Sequence, residues 1–176
     1  MYLKLSSVIP AVLLATSVAA SGATIAAALQ DVTAKAVKLN TTVASWKGDA
    51  FGLIPILSAS TDLTDSLKKG ASVAKASEPL SQEEAFTIVE PAQTLVEDTK
   101  SVLNTIVAAK PKFDKLFIAS PLVLQILKDD RAAAKNLTQA VTEKVPAELQ
   151  EVATSITAPI DPAFAAAIKK YSTFGF

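Results

Sequence analysis

Residues 24–46, TIAAALQDVTAKAVKLNTTVASW, decide the fold of this chain. They place Ile25, Leu29, Val32, Ala36, Leu39, Val43 and Trp46 at alternating steps of four and three, which is one apolar stripe along an amphipathic helix. Such a stripe holds its helix in water only by packing against partners. Several later segments carry the same pattern, and none alternates strand-wise for long enough to compete with it. The expected fold class is therefore all-α, a single-domain bundle of about five to six amphipathic helices, some kinked at proline.

Working outward, Lys47-Gly48-Asp49 makes a turn, with Asp49 as the expected N-cap of a second helix over 49–69. Its apolar face is Leu53, Ile56, Leu57, Leu63 and Leu67, Pro55 should kink it or start a new turn, and Gly70 is expected to stop it. Residues 71–80 read as a loop. Ser81-Gln82-Glu83-Glu84 is a capping box. The segment it opens carries Phe86, Ile88 and Val89, meets Pro91, and continues through Leu95, Val102, Leu103 and Ile106 until Lys110-Pro111. One kinked helix and a short helix followed by a long one both fit that pattern. Ser120-Pro121 then looks like an N-cap with a first-turn proline, opening a helix to about Lys144 with Leu122, Val123, Ile126, Leu127, Ala133, Leu137 and Val141 as its stripe. Pro146 starts a helix with Leu149, Val152 and Ile156, and Asp161-Pro162 caps a last one with Phe164, Ile168 and Tyr171.

Composition removes most activities. Lys plus Arg and Asp plus Glu number 17 each, and Arg131 is the only arginine, so neither a nucleic acid nor an acidic membrane meets an attracting field. The 176 residues contain no histidine and no cysteine. That excludes the usual zinc ligands and the Ser-His-Asp and Cys-His nucleophiles, and no cofactor is expected. Carboxylates alone can hold a hard cation or cleave glycosides, which makes the pairs Glu83 and Glu84, Glu97 and Asp98, and Asp129 and Asp130 worth inspection. Sequence neighbours diverge around a helix, so these read as solvated or helix-end charges.

Residues 1–20, MYLKLSSVIPAVLLATSVAA, read as a secretory signal peptide cut between Ala20 and Ser21, leaving 21–176 as the helical domain. The apolar run falls short of the roughly twenty residues a membrane span needs. Asn40-Thr41-Thr42 and Asn136-Leu137-Thr138 are N-glycosylation sequons. The second is the more easily a chance occurrence, because Leu137 belongs to a core stripe.

The landmarks Ile54-Pro55-Ile56-Leu57-Ser58-Ala59-Ser60, Pro91-Ala92-Gln93-Thr94-Leu95, Ala109-Lys110-Pro111-Lys112-Phe113-Asp114-Lys115, Pro121-Leu122-Val123-Leu124-Gln125, Val145-Pro146 and Ala158-Pro159-Ile160-Asp161 follow a recognisable order. In that order the chain resembles the fungal hydrophobic surface binding protein A and antigenic cell wall galactomannoprotein family. The resemblance implies a secreted helical mannoprotein of the wall or medium that captures fatty acids inside its bundle or adsorbs to hydrophobic surfaces. The chain lacks the Ser/Thr-rich stalk and anchor signal of wall-anchored members, so covalent wall attachment is not expected.

Under the leading reading, an acyl chain lies between helices lined by Leu29, Val32, Leu53, Ile56, Leu57, Phe86, Val89, Leu95, Leu103, Ile106, Val123, Leu127, Val152 and Ile156, with Ser58 or Ser155 as head-group contacts. Each of these is equally an ordinary core or helix-surface residue. The alternative is a coat that adsorbs to waxy or polymeric surfaces and recruits a hydrolase. Exposed Phe113, Phe117, Phe174 and Phe176 would favour it. An inhibitor bundle of the pectin-methylesterase-inhibitor type ranks below both, since such bundles characteristically rely on disulfides and this chain has no cysteine.

Overall fold

The computed structural model describes residues 21–173. Residues 1–20, which the sequence reads as a signal peptide, and the terminal Phe174 and Phe176 lie outside them. The elements are α1 (Ser21–Ser45), α2 (Leu53–Ala76), α3 (Gln82–Thr87), α4 (Val89–Asp114), α5 (Ala119–Thr142), a 3-10 turn (Ala147–Leu149) leading into α6 (Gln150–Thr157), and α7 (Ile160–Ser172). No strand occurs among the described residues.

The α1 stripe is buried along its whole length: Ile25, Val32, Ala36, Leu39 and Val43 are each 1% exposed. Its partners form a ring. α1 packs on α2 and α4, α2 on α5, α5 on α7, and α7 closes back onto α4. One apolar seam runs down the middle and receives side chains from all five: Leu39, Leu67, Ile106, Leu127 and Phe164 among them. α3 and α6 cover the lower end, where the Leu80 amide donates to the Lys144 carbonyl at 2.8 Å and ties two turns together.

Four prolines share one position. Pro55, Pro91, Pro121 and Pro162 are each the third residue of their helix, where the amide has no intrahelical acceptor and its loss costs nothing. Pro55 thus starts a helix, and Pro91 follows a break at Ile88 that separates a short α3 from a long α4. The capping box forms as the spacing predicts: Ser81 Oγ accepts from the Glu84 amide, and Glu84 reaches back to the Ser81 amide. Glu84 also accepts from the Gly22 amide at 3.3 Å, which fixes the start of α1 against α3.

Five boundaries differ from the sequence reading. Gly70 does not stop α2; the helix continues to Ala76, so 71–76 is helix rather than loop. A side chain at Gly70 would bring its Cβ within 3.2 Å of Leu137 Cδ1, so this glycine lets α2 approach α5, and the packing offsets its helix cost of about 1 kcal/mol. Asp49 caps a turn ahead of α2, its carboxylate accepting from the Gly52 amide at 2.8 Å, and Gly52 is the N-cap. Lys110-Pro111 lies inside α4, which runs to Asp114. Ser120 is inside α5 and donates to Asp114 Oδ1 at 2.6 Å instead of capping its own helix. Asp161, likewise, is no cap: it is within α7 and pairs with Arg131 through two bonds of 2.7 Å.

The upper end is fixed by a polar knot beneath aromatic rings. Lys110, 7% exposed, bonds both oxygens of Asp114 at 2.9 and 2.7 Å. Lys112 Nζ donates to the Trp46 carbonyl at 2.6 Å. Tyr171, fully buried, donates its hydroxyl to the Ile106 carbonyl at 2.7 Å. Removing that hydroxyl loses a buried hydrogen bond, so Tyr171→Phe should lower the unfolding free energy by about 1 kcal/mol in urea titration.

Candidate functional site

Two apolar hollows flank the central seam, which itself is packed nearly shut, with room for about one water molecule. The upper groove lies between α2 and α5, is roomier than the seam, and opens to solvent at its mouth. Leu53, Ile56, Leu57, Val123 and Ile126 form its walls, and it ends inward on Leu39, Ile106, Leu127 and Asp130, which it shares with the seam. The lower pocket, also open to solvent, lies between α3, α4, α5 and α6.

The residues expected to form one lining are divided among three places. Leu53, Ile56, Leu57 and Val123 belong to the upper groove, with Ile106 and Leu127 at its inner end. Val32, Leu95 and Leu103 face the central seam. Phe86, Val89, Val152 and Ile156 line the lower pocket. Leu29, 3% exposed, is core and borders none of these hollows.

Neither serine proposed for a head group reaches a hollow. Ser155 is exposed and donates to the Glu151 carbonyl at 2.9 Å. Ser58 is exposed, while Ser60 is 5% exposed and lines the upper groove. The two are separated by about 200° around α2, so an offset of two residues exchanges solvent for groove.

The polar residue at the inner end differs from the sequence expectation. Asp129 is exposed as expected, but Asp130 is 3% exposed and lines both the groove and the seam. Its Oδ1 is 2.5 Å from Thr64 Oγ1, and its Oδ2 has no hydrogen-bond partner among the described residues. Burial pushes the carboxyl up to about 6, with Asp129 adding to the rise; Thr64 and Lys68 oppose it. Because the folded protein holds this proton more tightly than the unfolded chain, the associated stability is present below the ordinary value of 3.8 and is lost as pH rises through about 6. Between pH 4 and 7 the wild type should lose on the order of 2–3 kcal/mol that Asp130→Asn does not lose, measured by urea unfolding across that range. The surface carboxyls Asp62 and Asp161, held low by Lys38 and Arg131, act in the opposite sense and at lower pH.

Among the described residues no group of His, Cys, Asp or Glu side chains is arranged to hold a metal, and no helix is long and apolar enough to cross a membrane. Asn136 is exposed on α5, whereas Asn40 is half-buried, its Nδ2 donating to Ser101 Oγ at 3.1 Å and its Oδ1 buried without a partner.

The described residues thus form a helical bundle of closed-ring packing, with two apolar hollows and one buried carboxyl. Residues 22–143 match the family described as hydrophobic surface binding protein A, and the chain belongs to that family. Cell wall mannoprotein 1 of Aspergillus flavus is 33% identical over 114 residues, 65% of this chain and 41% of the relative. Cell wall mannoprotein 1 of Aspergillus fumigatus is 28% identical over 143 residues, 81% of this chain and 49% of the relative. The chain thus spans less than half the length of either. Among solved structures, AFMP4P in complex with palmitic acid is similar at a TM-score of 0.81 and 25% identity, covering 85% of this chain and 99% of that one. Ligand binding domain 2 of the Penicillium marneffei MP1 protein, complexed with multiple arachidonic acids, shares the fold at a TM-score of 0.77 and 22% identity, over 84% of this chain and 94% of that one.

Proposed function

We propose that this chain is an extracellular or wall-associated fungal mannoprotein domain that takes up a fatty acid or similar lipid, with the acyl chain in the groove between α2 and α5. The observation that carries the reading is that groove: apolar walls, an open mouth at the tip, and an inner end continuous with the central seam. A relative of 25% identity and the same fold that holds palmitic acid supports it. About fourteen buried methylenes at roughly 0.8 kcal/mol each give a gross transfer gain on the order of 10 kcal/mol, against about 1.5–3 for a charged hydrogen bond at the head. Ordering costs reduce the net affinity, but the tail dominates it, so selectivity for chain length should be loose. Native mass spectrometry of the secreted protein, followed by titration with palmitate, tests this. One saturable lipid per chain is the expected result, and a lipid-free protein with no saturable binding would sink the reading.

Adsorption to hydrophobic surfaces is favoured by a separate observation. Phe51, Phe117 and Ile118, on the turns at the tip, and Ile54, at the start of α2, are 85%, 96%, 78% and 67% exposed. Of the phenylalanines expected to serve this role, Phe117 is exposed but Phe113 is 1% exposed, in the core. Ile118 also lines the groove mouth, so one apolar rim serves both uptake and adsorption. The double substitution Phe51→Ser with Phe117→Ser should change stability by no more than about 0.5 kcal/mol per site. It should reduce retention on polystyrene beads severalfold; unchanged retention would move adsorption to another face.

A further inference from the structure

We propose that Asp130 is a head-group acceptor in the α2–α5 groove and selects lipids that bring a hydrogen-bond donor, a hydroxyl or a protonated carboxyl, over those that bring a fatty carboxylate. The inference rests on the reading of the groove as a lipid site. It begins from proton counting. Thr64 Oγ1 lies 2.5 Å from Asp130 Oδ1 and 3.0 Å from the Ser60 carbonyl, yet it has one proton to give. With Asp130 ionised, Thr64 donates to Oδ1. With Asp130 neutral, its own proton sits on Oδ1, Asp130 donates to Thr64, and Thr64 donates to the Ser60 carbonyl. In both states Oδ2 is left as an acceptor with no partner among the described residues. The one buried acidic side chain at the inner end of an apolar groove therefore presents an acceptor whatever its charge.

The surroundings offer a carboxylate no cation within the groove, and the Ser60 hydroxyl as the one neutral donor lining it. From α1, α4 and α7 the neighbours in the groove and seam are Leu39, Ile106, Thr99, Ile160 and Phe164, none charged. The charges that act on Asp130 are Asp129 on its own helix and Lys68 on α2, both exposed. A second carboxylate at Oδ2 would face a like charge among apolar walls, and two such groups are most stable together when they share a proton. A hydroxyl donates to Oδ2 in either state, and Ser60, one turn before Thr64, lines the same groove as a further polar contact. Fatty acids are then admitted as neutral acids, at lower pH, and long-chain alcohols across the range.

Calorimetric titration with decanoic acid and 1-decanol at pH 5 and pH 8 tests this on the wild type and on Asp130→Asn. An apolar pocket of any kind favours the alcohol over an ion, so the variant carries the decision. The wild type should bind decanoate at least tenfold more weakly at pH 8 than at pH 5, with 1-decanol changing less than threefold. In Asp130→Asn the amide can donate to a carboxylate, and the pH dependence for decanoate should fall below threefold. A variant that keeps the wild-type pH dependence, with its helical circular dichroism intact, overturns the role of Asp130. Thr64→Val serves as the second variant: it removes the partner of Oδ1 but not Oδ2, so the preference for the alcohol at pH 8 should persist, and its loss would place the selection elsewhere. Saturable binding of both ligands with equal affinity at both pH values overturns the inference alone, whereas no saturable binding of either overturns it together with the reading of the groove.

Discussion

Replacing Phe113 by alanine is expected to lower the unfolding free energy by about 3–5 kcal/mol, the largest stability effect of any single substitution considered. Phe113 is 1% exposed, its ring centroid is 4.5 Å from that of Trp46 and 6.2 Å from that of Tyr171, and it forms part of the upper groove. The loss has two sources. The buried ring loses its transfer gain, and the cavity left behind cannot collapse, because Lys110, Lys112, Asp114 and Ser120 hold the surrounding turn with hydrogen bonds. Against a total stability of roughly 5–15 kcal/mol this approaches the unfolding limit. Trp46 is the only tryptophan, so its emission reports the change directly: urea unfolding followed by fluorescence should show a lower midpoint and, before unfolding, a red-shifted spectrum. An unchanged midpoint would mean that the knot, rather than the ring stack, holds this end.

Filling the groove should abolish lipid uptake without unfolding the bundle. Ile126 lines the α2–α5 groove and is only half-buried, so Ile126→Trp puts an indole into the hollow while its outer edge stays near solvent. Displacing even four methylenes from the groove removes about 3 kcal/mol, more than a hundredfold in affinity. Val152→Trp, at a 55% exposed position of the lower pocket, is the matched control. Palmitate titration by native mass spectrometry should show binding lost in the first variant and kept in the second. The reverse pattern would transfer the site to the lower pocket, where Phe86, Val89, Val152 and Ile156 meet.

That comparison matters because the sequence supplied candidates for both hollows without saying which ones meet. Leu53, Ile56 and Leu57 were visible as an apolar face, and so was Val123 on its own helix, but their convergence depends on how α2 and α5 are rotated against each other. Ser58 shows how narrow the margin is: the groove takes Ser60 and leaves Ser58 in water, through the 100° that each residue turns around a helix. Asp130 was hidden for the same reason. Beside Asp129 it looks like half of a solvated pair, yet it shares its face with Leu127, Ala134 and Leu137, each three, four or seven positions away, and all of these line the seam. A test of that periodicity on each carboxylate separately would have placed it inward.

Gly70 errs in the opposite direction, inside a helix where the sequence expects an end. A local rule makes glycine a helix stop, and contact with Leu137 and Val32 overrides it.

What the sequence determined by itself was the set of helices, the stripe each buries and the capping box at Ser81, because these depend on spacings of three and four residues and on hydrogen bonds within one turn. The order of packing around the ring, the continuation of α2 past Gly70, the groove at the tip and the inward turn of Asp130 were decided by tertiary structure. They depend on the rotation and approach of helices distant in the chain, and no local pattern encodes those.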